Sequence, residues 1–186
     1  VSAQKLVGSK GVGALILRRG TELAAQIRGG GQEMGRRAGT ENLIGIAGFG
    51  AAAEAAQRDL TAGVWEQVSE IRNILEKTLD AAADMTISVG KGVARLPNTL
   101  CLATPGWKGE TQVMQMDLAG FAISAGSACS SGKAKRSDVL GAMGFDIATA
   151  QGAIRVSIGP GVTEDHVLRF AEAWLKDYRR FKARAA

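Results

Sequence analysis

The sequence predicts an α/β protein whose second part is a sheet covered by helices. Short β-type runs, Thr99-Leu100-Cys101-Leu102 and Ile154-Arg155-Val156-Ser157-Ile158-Gly159, are separated by longer helical stretches. Val64, Val68, Ile71, Leu75 and Leu79 fall on one face at helical spacing, as do Val167, Phe170, Trp174, Tyr178 and Phe181. Strands separated by helices make an α/β sandwich the expected arrangement. The 186 residues are 46% hydrophobic, which is enough for a real core. Thr61-Ala62-Gly63 interrupts the pattern and divides residues 1–60 from 61–186.

The first part begins with Ser2-Ala3-Gln4-Lys5, ahead of Gly8-Ser9-Lys10-Gly11-Val12-Gly13. The glycine run lacks the full spacing of a phosphate loop and no helix follows it. A lysine among small polar residues can form a Schiff base. It can equally stand solvated, and residue types alone favour that reading for Lys5. Ala14-Leu15-Ile16-Leu17 reads as a buried strand stopped by Arg18-Arg19-Gly20. Residues 28–42 hold three consecutive glycines, Gly29 to Gly31, together with Arg36 and Arg37, and make an exposed loop rich in donors. Thr40 is expected to cap a helix running through Leu43, Ile44 and Ala47 toward Asp59. Thr40 beside Arg36 and Arg37 is either an anion site or an ordinary cap with solvated arginines. Gly45, Gly48, Gly50 and the alanines after them imply that something packs closely on this helix.

In the second part, Met85 to Val89 is a short strand candidate and Gly90-Lys91-Gly92 a turn. Cys101 is expected as a small buried hydrophobe. Pro105-Gly106 marks a loop, and Glu110 to Leu118 a helix with Val113 and Met114 or Leu118 inward. Phe121-Ala122-Ile123 has strand character and leads into Ser124-Ala125-Gly126-Ser127-Ala128-Cys129-Ser130-Ser131-Gly132. Nine residues no larger than Ser or Cys cannot pack a core. Cys129 is either a reactive thiol, with Lys133, Lys135 and Arg136 nearby to favour thiolate, or an incidental cysteine in a linker. Ser137 is expected to cap a helix over residues 138–143. Arg155 interrupts an apolar strand and needs a partner or solvent. On residue types alone it is an edge-strand side chain pointing outward. Pro160-Gly161 ends that strand and Thr163 caps the last helix. His166, the only histidine, stands apart from every motif, and one histidine makes no conventional metal cluster.

The net charge of +5 is modest and gathers at Lys176, Arg179, Arg180, Lys182 and Arg184, where it suits a helix C-terminus. Aromatics make up 5% and do not alternate with basic residues, so no nucleic-acid partner is expected. No apolar run approaches bilayer length, so no membrane partner is expected either. Two cysteines make no disulfide framework, and a reducing cytoplasm is the simplest setting. The first residues lack signal-peptide character, and the missing initiator Met reads as a chain that begins inside something larger.

Ser2-Ala3-Gln4-Lys5, then Gly29-Gly30-Gly31-Gln32-Glu33 with Arg36-Arg37-Ala38-Gly39-Thr40-Glu41-Asn42, then Gly126-Ser127-Ala128-Cys129-Ser130-Ser131-Gly132, occur in that order. Together they resemble a cysteine desulfurase of the NifS/IscS type, a dimeric pyridoxal phosphate enzyme of the aminotransferase-like fold (fold type I). The resemblance covers essentially the whole chain. It implies the C-terminal portion of such an enzyme, with residues 1–60 ending the large cofactor-binding domain and residues 61–186 forming the small α/β domain. It implies that Lys5 carries the cofactor covalently and that Ser2 binds its phosphate. Gln4 stands where the family usually has His; Gln can donate a hydrogen bond but cannot carry charge. Thr40 matches a residue that reaches the cofactor phosphate of the partner subunit. Cys129 matches the cysteine that receives the sulfur, and Arg155 the arginine that holds the substrate carboxylate. The resemblance further implies L-cysteine as substrate, a homodimer, and an iron–sulfur scaffold or another thiol carrier as sulfur acceptor. The family's acidic residue at the pyridine nitrogen and its ring-stacking His belong to an earlier half not contained in these residues. A selenocysteine lyase or aminotransferase of the same fold, or a fragment that only binds partners, are the alternatives.

Overall fold

The structure is a computed structural model that describes residues 1–126 and 137–185. The chain divides into two compact units, Val1–Gly63 and Val64–Ala186.

The first unit is built from tight turns and one helix. A 3-10 turn at Ala3–Leu6 is tied to the following chain by an antiparallel bridge between Ser2 and Gly13. Ala3 N donates to Val12 O (3.0 Å), and Ala14 N to Val1 O (2.8 Å). The chains approach so closely that a Cβ on Gly13 would lie 2.6 Å from Val1 O. Helix α1 spans Leu43–Thr61. Buried Gly45 faces Val12 where a Cβ would collide, and a Cβ on Gly48 would lie 3.1 Å from Ser9 Oγ. These are the close contacts that the glycines of this helix imply.

Two expectations fail in this unit. Residues 14–17 form no strand, and Leu15 and Ile16 are 69% and 78% exposed. An apolar run becomes a buried strand only where a neighbour completes its ladder and covers its side chains, and among the described residues none does. Asn42, not Thr40, caps α1: its Oδ1 accepts from Gly45 N (3.1 Å).

The second unit is a four-stranded sheet with helices packed on both faces. Helix α2 spans Val64–Ala82, strand β1 Ile87–Ser88, β2 Thr99–Ala103 and α3 Gly109–Leu118. Then come β3 Ser124–Ala125, α4 Asp138–Ala142, α5 Ile147–Gln151, β4 Ala153–Ser157 and α6 Glu164–Ala185. The sheet order is β1-β2-β4-β3, every pairing antiparallel. Leu100 and Leu102 of β2 and Ile154 and Val156 of β4 join the core with Val68, Leu75 and Leu79 of α2, Met116 of α3, and Phe170, Trp174 and Tyr178 of α6. Alternation along β2 and β4 sends the remaining residues to the other face. There Ala103 and Ala153 pack with Leu140 and Ala150, which come from α4 and α5.

Buried polar groups lock this core. Gln112 is wholly buried. Its Nε2 donates to Trp107 O (2.9 Å) and Gly152 O (3.0 Å), and its Oε1 accepts from Trp174 Nε1 (3.0 Å). The inward face of α3 is therefore Gln112 and Met116, while the expected Met114 and Leu118 are 67% and 88% exposed. Arg95 pairs with Glu76 through two parallel bonds of 2.8 Å. Thr163 does cap α6, and His166 completes the cap. His166 N donates to Thr163 Oγ1 (3.4 Å), and Thr163 N donates to His166 Nδ1 (3.2 Å). This is the reciprocal geometry of a capping box with an imidazole in the acidic position. Ser137 caps α4, its Oγ accepting from Leu140 N (3.3 Å). Two strand expectations shift. Phe121 to Ile123 is not a strand, because Phe121 N still donates to Met116 O (2.8 Å) at the end of α3, and pairing begins at Ser124. Arg155 lies on β4, an interior strand between β2 and β3 rather than an edge.

Candidate functional site

The residues singled out for chemistry fall into both units. Ser2, Gln4 and Lys5 share one turn in the first. Ala3 is its buried anchor, so the turn is held while its polar neighbours stay exposed. Val7 closes the turn with φ 64°, a left-handed conformation costly for a β-branched residue. Gly8 N donates back to Ala3 O (2.9 Å). The Ser2 hydroxyl is not engaged in capping the turn. One short turn thus presents an amine, a hydroxyl and a carboxamide to solvent.

Thr40 is exposed two residues ahead of the Asn42 cap. Around it, Arg37 Nη1 donates to Ala38 O (2.6 Å), Ala38 N to Ile27 O (3.0 Å), and Gly39 N to Gln32 Oε1 (3.3 Å). These contacts fix the loop that leads into Thr40. Arg37 is tied to backbone there through this bond.

Arg155 belongs to the second unit. It is exposed, and among the described residues it takes part in no ion pair. Its register partners are Cys101 on β2 and Ser124 on β3. Cross-strand partners in an antiparallel sheet project from the same face, so the three side chains form a row. The Cys101 thiol is half-buried, and burial pushes its pKa up while the Arg155 guanidinium opposes the shift. Cys101 is thus a weakly ionised thiol, less enclosed than expected. Cys129, and with it Lys133, Lys135 and Arg136, lies outside the described residues.

Sequence reasoning missed the Ser124–Arg155 pairing. β3 is two residues long, and no periodic signal can be read from two residues.

Residues 1–170 match the family model described as Aminotransferase class-V. The chain belongs to the class-V aminotransferase family. Its fold is part of the fold-type I architecture of pyridoxal phosphate enzymes, and the family depends on that cofactor. A cysteine desulfurase of Klebsiella pneumoniae is 43% identical over 166 residues, covering 89% of this class-V chain and 41% of its own length. The solved NifS-like protein from Rickettsia africae ESF-5 superposes with a TM-score of 0.72 at 30% identity, over 86% of this chain and 41% of its own. The solved SspA in complex with cysteine gives a TM-score of 0.59 at 30% identity, over 86% of this chain and 43% of its own. The chain spans less than half the length of these relatives. The NifS-type likeness read from the motifs is thereby borne out.

The donors present suit this family's cofactor. A primary amine matches an aldehyde, and hydroxyl and carboxamide donors match a phosphate. Lys5, Ser2 and Gln4 supply these groups on a turn whose backbone is pinned at Ala3, Gly8 and Gly13.

Proposed function

We propose that this chain forms part of a pyridoxal phosphate-dependent cysteine desulfurase that moves sulfur from L-cysteine to Cys129 and leaves L-alanine. The observation that carries this reading is the 43% identity to the Klebsiella cysteine desulfurase over 89% of the chain. That extent leaves too few residues outside the match to omit either unit. The SspA structure, in complex with cysteine, supports the choice of substrate.

Lys5 holds the cofactor, Ser2 and Gln4 donate to its phosphate, and Thr40 reaches the phosphate held by a second subunit of a homodimer. Bound pyridoxal phosphate supplies an electron sink that labilises bonds at the amino-acid substrate. The Lys5 amine, freed from its attachment, carries the proton at the substrate Cα. Arg155 orients the carboxylate, because a planar guanidinium grips it through two parallel hydrogen bonds. The thiolate of Cys129 attacks the substrate sulfur. The S–S bond forms as the C–S bond breaks, the electron pair stays with carbon, and carbon takes a proton to become the methyl group of alanine. Cys129 is left as a persulfide, a reversible state that passes its outer sulfur to another thiolate by exchange. The acceptor is an iron–sulfur scaffold or another thiol carrier, and a reducing cytoplasm suits both thiols.

The test uses the intact protein that contains this chain. Given L-cysteine, it should yield alanine and persulfide in equal amounts. Lys5→Ala should remove the visible absorption of bound cofactor. Cys129→Ser should keep that absorption and lose the persulfide. Undiminished persulfide in the Cys129→Ser protein defeats the assignment.

A further inference from the structure

Resting on the reading of Arg155 as the carboxylate clamp, we infer that the Ser124 hydroxyl is a second donor to the substrate carboxylate. Ser124 is the direct register partner of Arg155 across β3 and β4, so both side chains leave the same face of the sheet. Adjacent Cβ atoms in such a pair lie about 4.5–5.5 Å apart, close enough for both groups to reach one small anion. A carboxylate offers about four lone-pair sites, and a bidentate guanidinium uses two. A hydroxyl beside the guanidinium fills a third.

The surroundings favour an outside anion over an internal one. Arg155 is exposed and, among the described residues, has no carboxylate partner. The other flank of the row is Cys101, which is small and leaves the guanidinium open. Thr99 and Ser157 are register partners one step further along the same face. The row is therefore polar or small on every side that the strands determine, and its one positive charge has no ion-pair partner among the described residues. Ser124 and Arg155 are also held rigidly relative to each other, since β4 is paired on both edges.

The experiment compares two thiols in the intact enzyme, L-cysteine and cysteamine, which has the amine and the thiol but no carboxylate. For wild type, Ser124→Ala, Ser124→Thr and Arg155→Lys, the KM for L-cysteine and the inhibition constant of cysteamine are measured. Ser124→Ala should raise the KM on the order of ten- to hundredfold, the loss of one hydrogen bond to a charged group, and leave the cysteamine constant within twofold. Ser124→Thr keeps the hydroxyl and should restore most of the affinity. The inference is overturned if Ser124→Ala weakens both thiols equally, which is a structural effect, or weakens neither. Arg155→Lys reports separately on the underlying reading. If it leaves the preference for L-cysteine over cysteamine intact, the clamp itself is wrong. If it abolishes that preference while Ser124→Ala does not, only the role of Ser124 fails.

Discussion

Replacing Gln112 by Leu should destabilise the second unit by about 2–4 kcal/mol. The side chain is wholly buried and makes three hydrogen bonds, to Trp107 O, Gly152 O and Trp174 Nε1. Leu fills nearly the same volume, so a cavity term is small. Gly152 O keeps the bond from Thr104 N at 3.1 Å. Trp107 O and Trp174 Nε1 each lose the one partner they have among the described residues. An orphaned buried donor or acceptor costs about 1–3 kcal/mol, and added apolar burial returns about 1 kcal/mol. Urea unfolding followed by tryptophan fluorescence measures the result, because Trp107 and Trp174 are both buried in this unit. A loss of 3 kcal/mol with a slope of about 1.5–2 kcal/mol/M moves the midpoint down by roughly 1.5–2 M. Trp174→Phe removes the orphaned donor, so the double variant should recover about 1–2 kcal/mol of coupling. A midpoint shift below about 0.5 M at unchanged slope would mean that the three bonds contribute nothing net, and the reasoning would fail.

Two further perturbations test the charged and thiol groups. The Arg95 hydrogen bonds hold the Glu76 carboxyl below the ordinary glutamate range against an opposing burial effect. Its stabilisation is therefore fully present above that range and is lost as pH falls through the folded value. Arg95→Met strands the buried carboxylate and should cost about 2–4 kcal/mol at pH 7. The gap from wild type should narrow near pH 4 as Glu76 protonates, whereas equal gaps at both pH values would contradict it. Burial raises the Cys101 pKa above the ordinary thiol range while Arg155 lowers it. Alkylation of Cys101 by iodoacetamide, read by peptide mass, should thus be slower at pH 8 than that of a free thiol, and slow further in Arg155→Ala. Labelling at pH 7 as fast as a free thiol would show the burial argument to be wrong.

What the sequence could reveal depended on how far each feature reaches along the chain. Helices α2 and α6 were legible because a buried stripe repeats over nineteen and twenty-two residues. The α1 cap was not, since Thr40 and Asn42 are both capping residues and only geometry shows whose oxygen meets Gly45 N. The inward face of α3 was misread because Gln112 counts as polar in any pattern, yet its three bonds make burial favourable. Residues 14–17 look like a buried strand by composition, but burial needs a neighbour that composition does not supply. At the candidate site, Ser2, Gln4 and Lys5 were legible as a group because they are contiguous. Their meaning came from resemblance, as residue types alone left Lys5 an ordinary solvated lysine. The row of Cys101, Arg155 and Ser124 was invisible, because it joins three strands from distant parts of the chain.

That row also explains why a charged residue is tolerated in an interior strand. Ile154 and Val156 pack into the helical layer, so strand alternation sends Arg155 to the other face. Toward Ala153 that face is closed by Leu140 and Ala150, while at Arg155 it remains open to solvent. The guanidinium thus avoids the desolvation penalty of burial, and the strand beneath it keeps hydrogen bonds on both edges. The strand is fixed at its start as well. Gly152 O receives Thr104 N and Gln112 Nε2, and a Cβ on Gly152 would collide with Thr104 O. The carbonyl that precedes β4 is therefore held by two donors, three residues ahead of Arg155. A binding group is most useful where its base is rigid and its tip is free. On the proposed role of Arg155 as carboxylate clamp, Gln112 then acts on more than stability: Gln112→Leu should let β4 shift and reduce the preference for L-cysteine over cysteamine at urea concentrations below the unfolding transition.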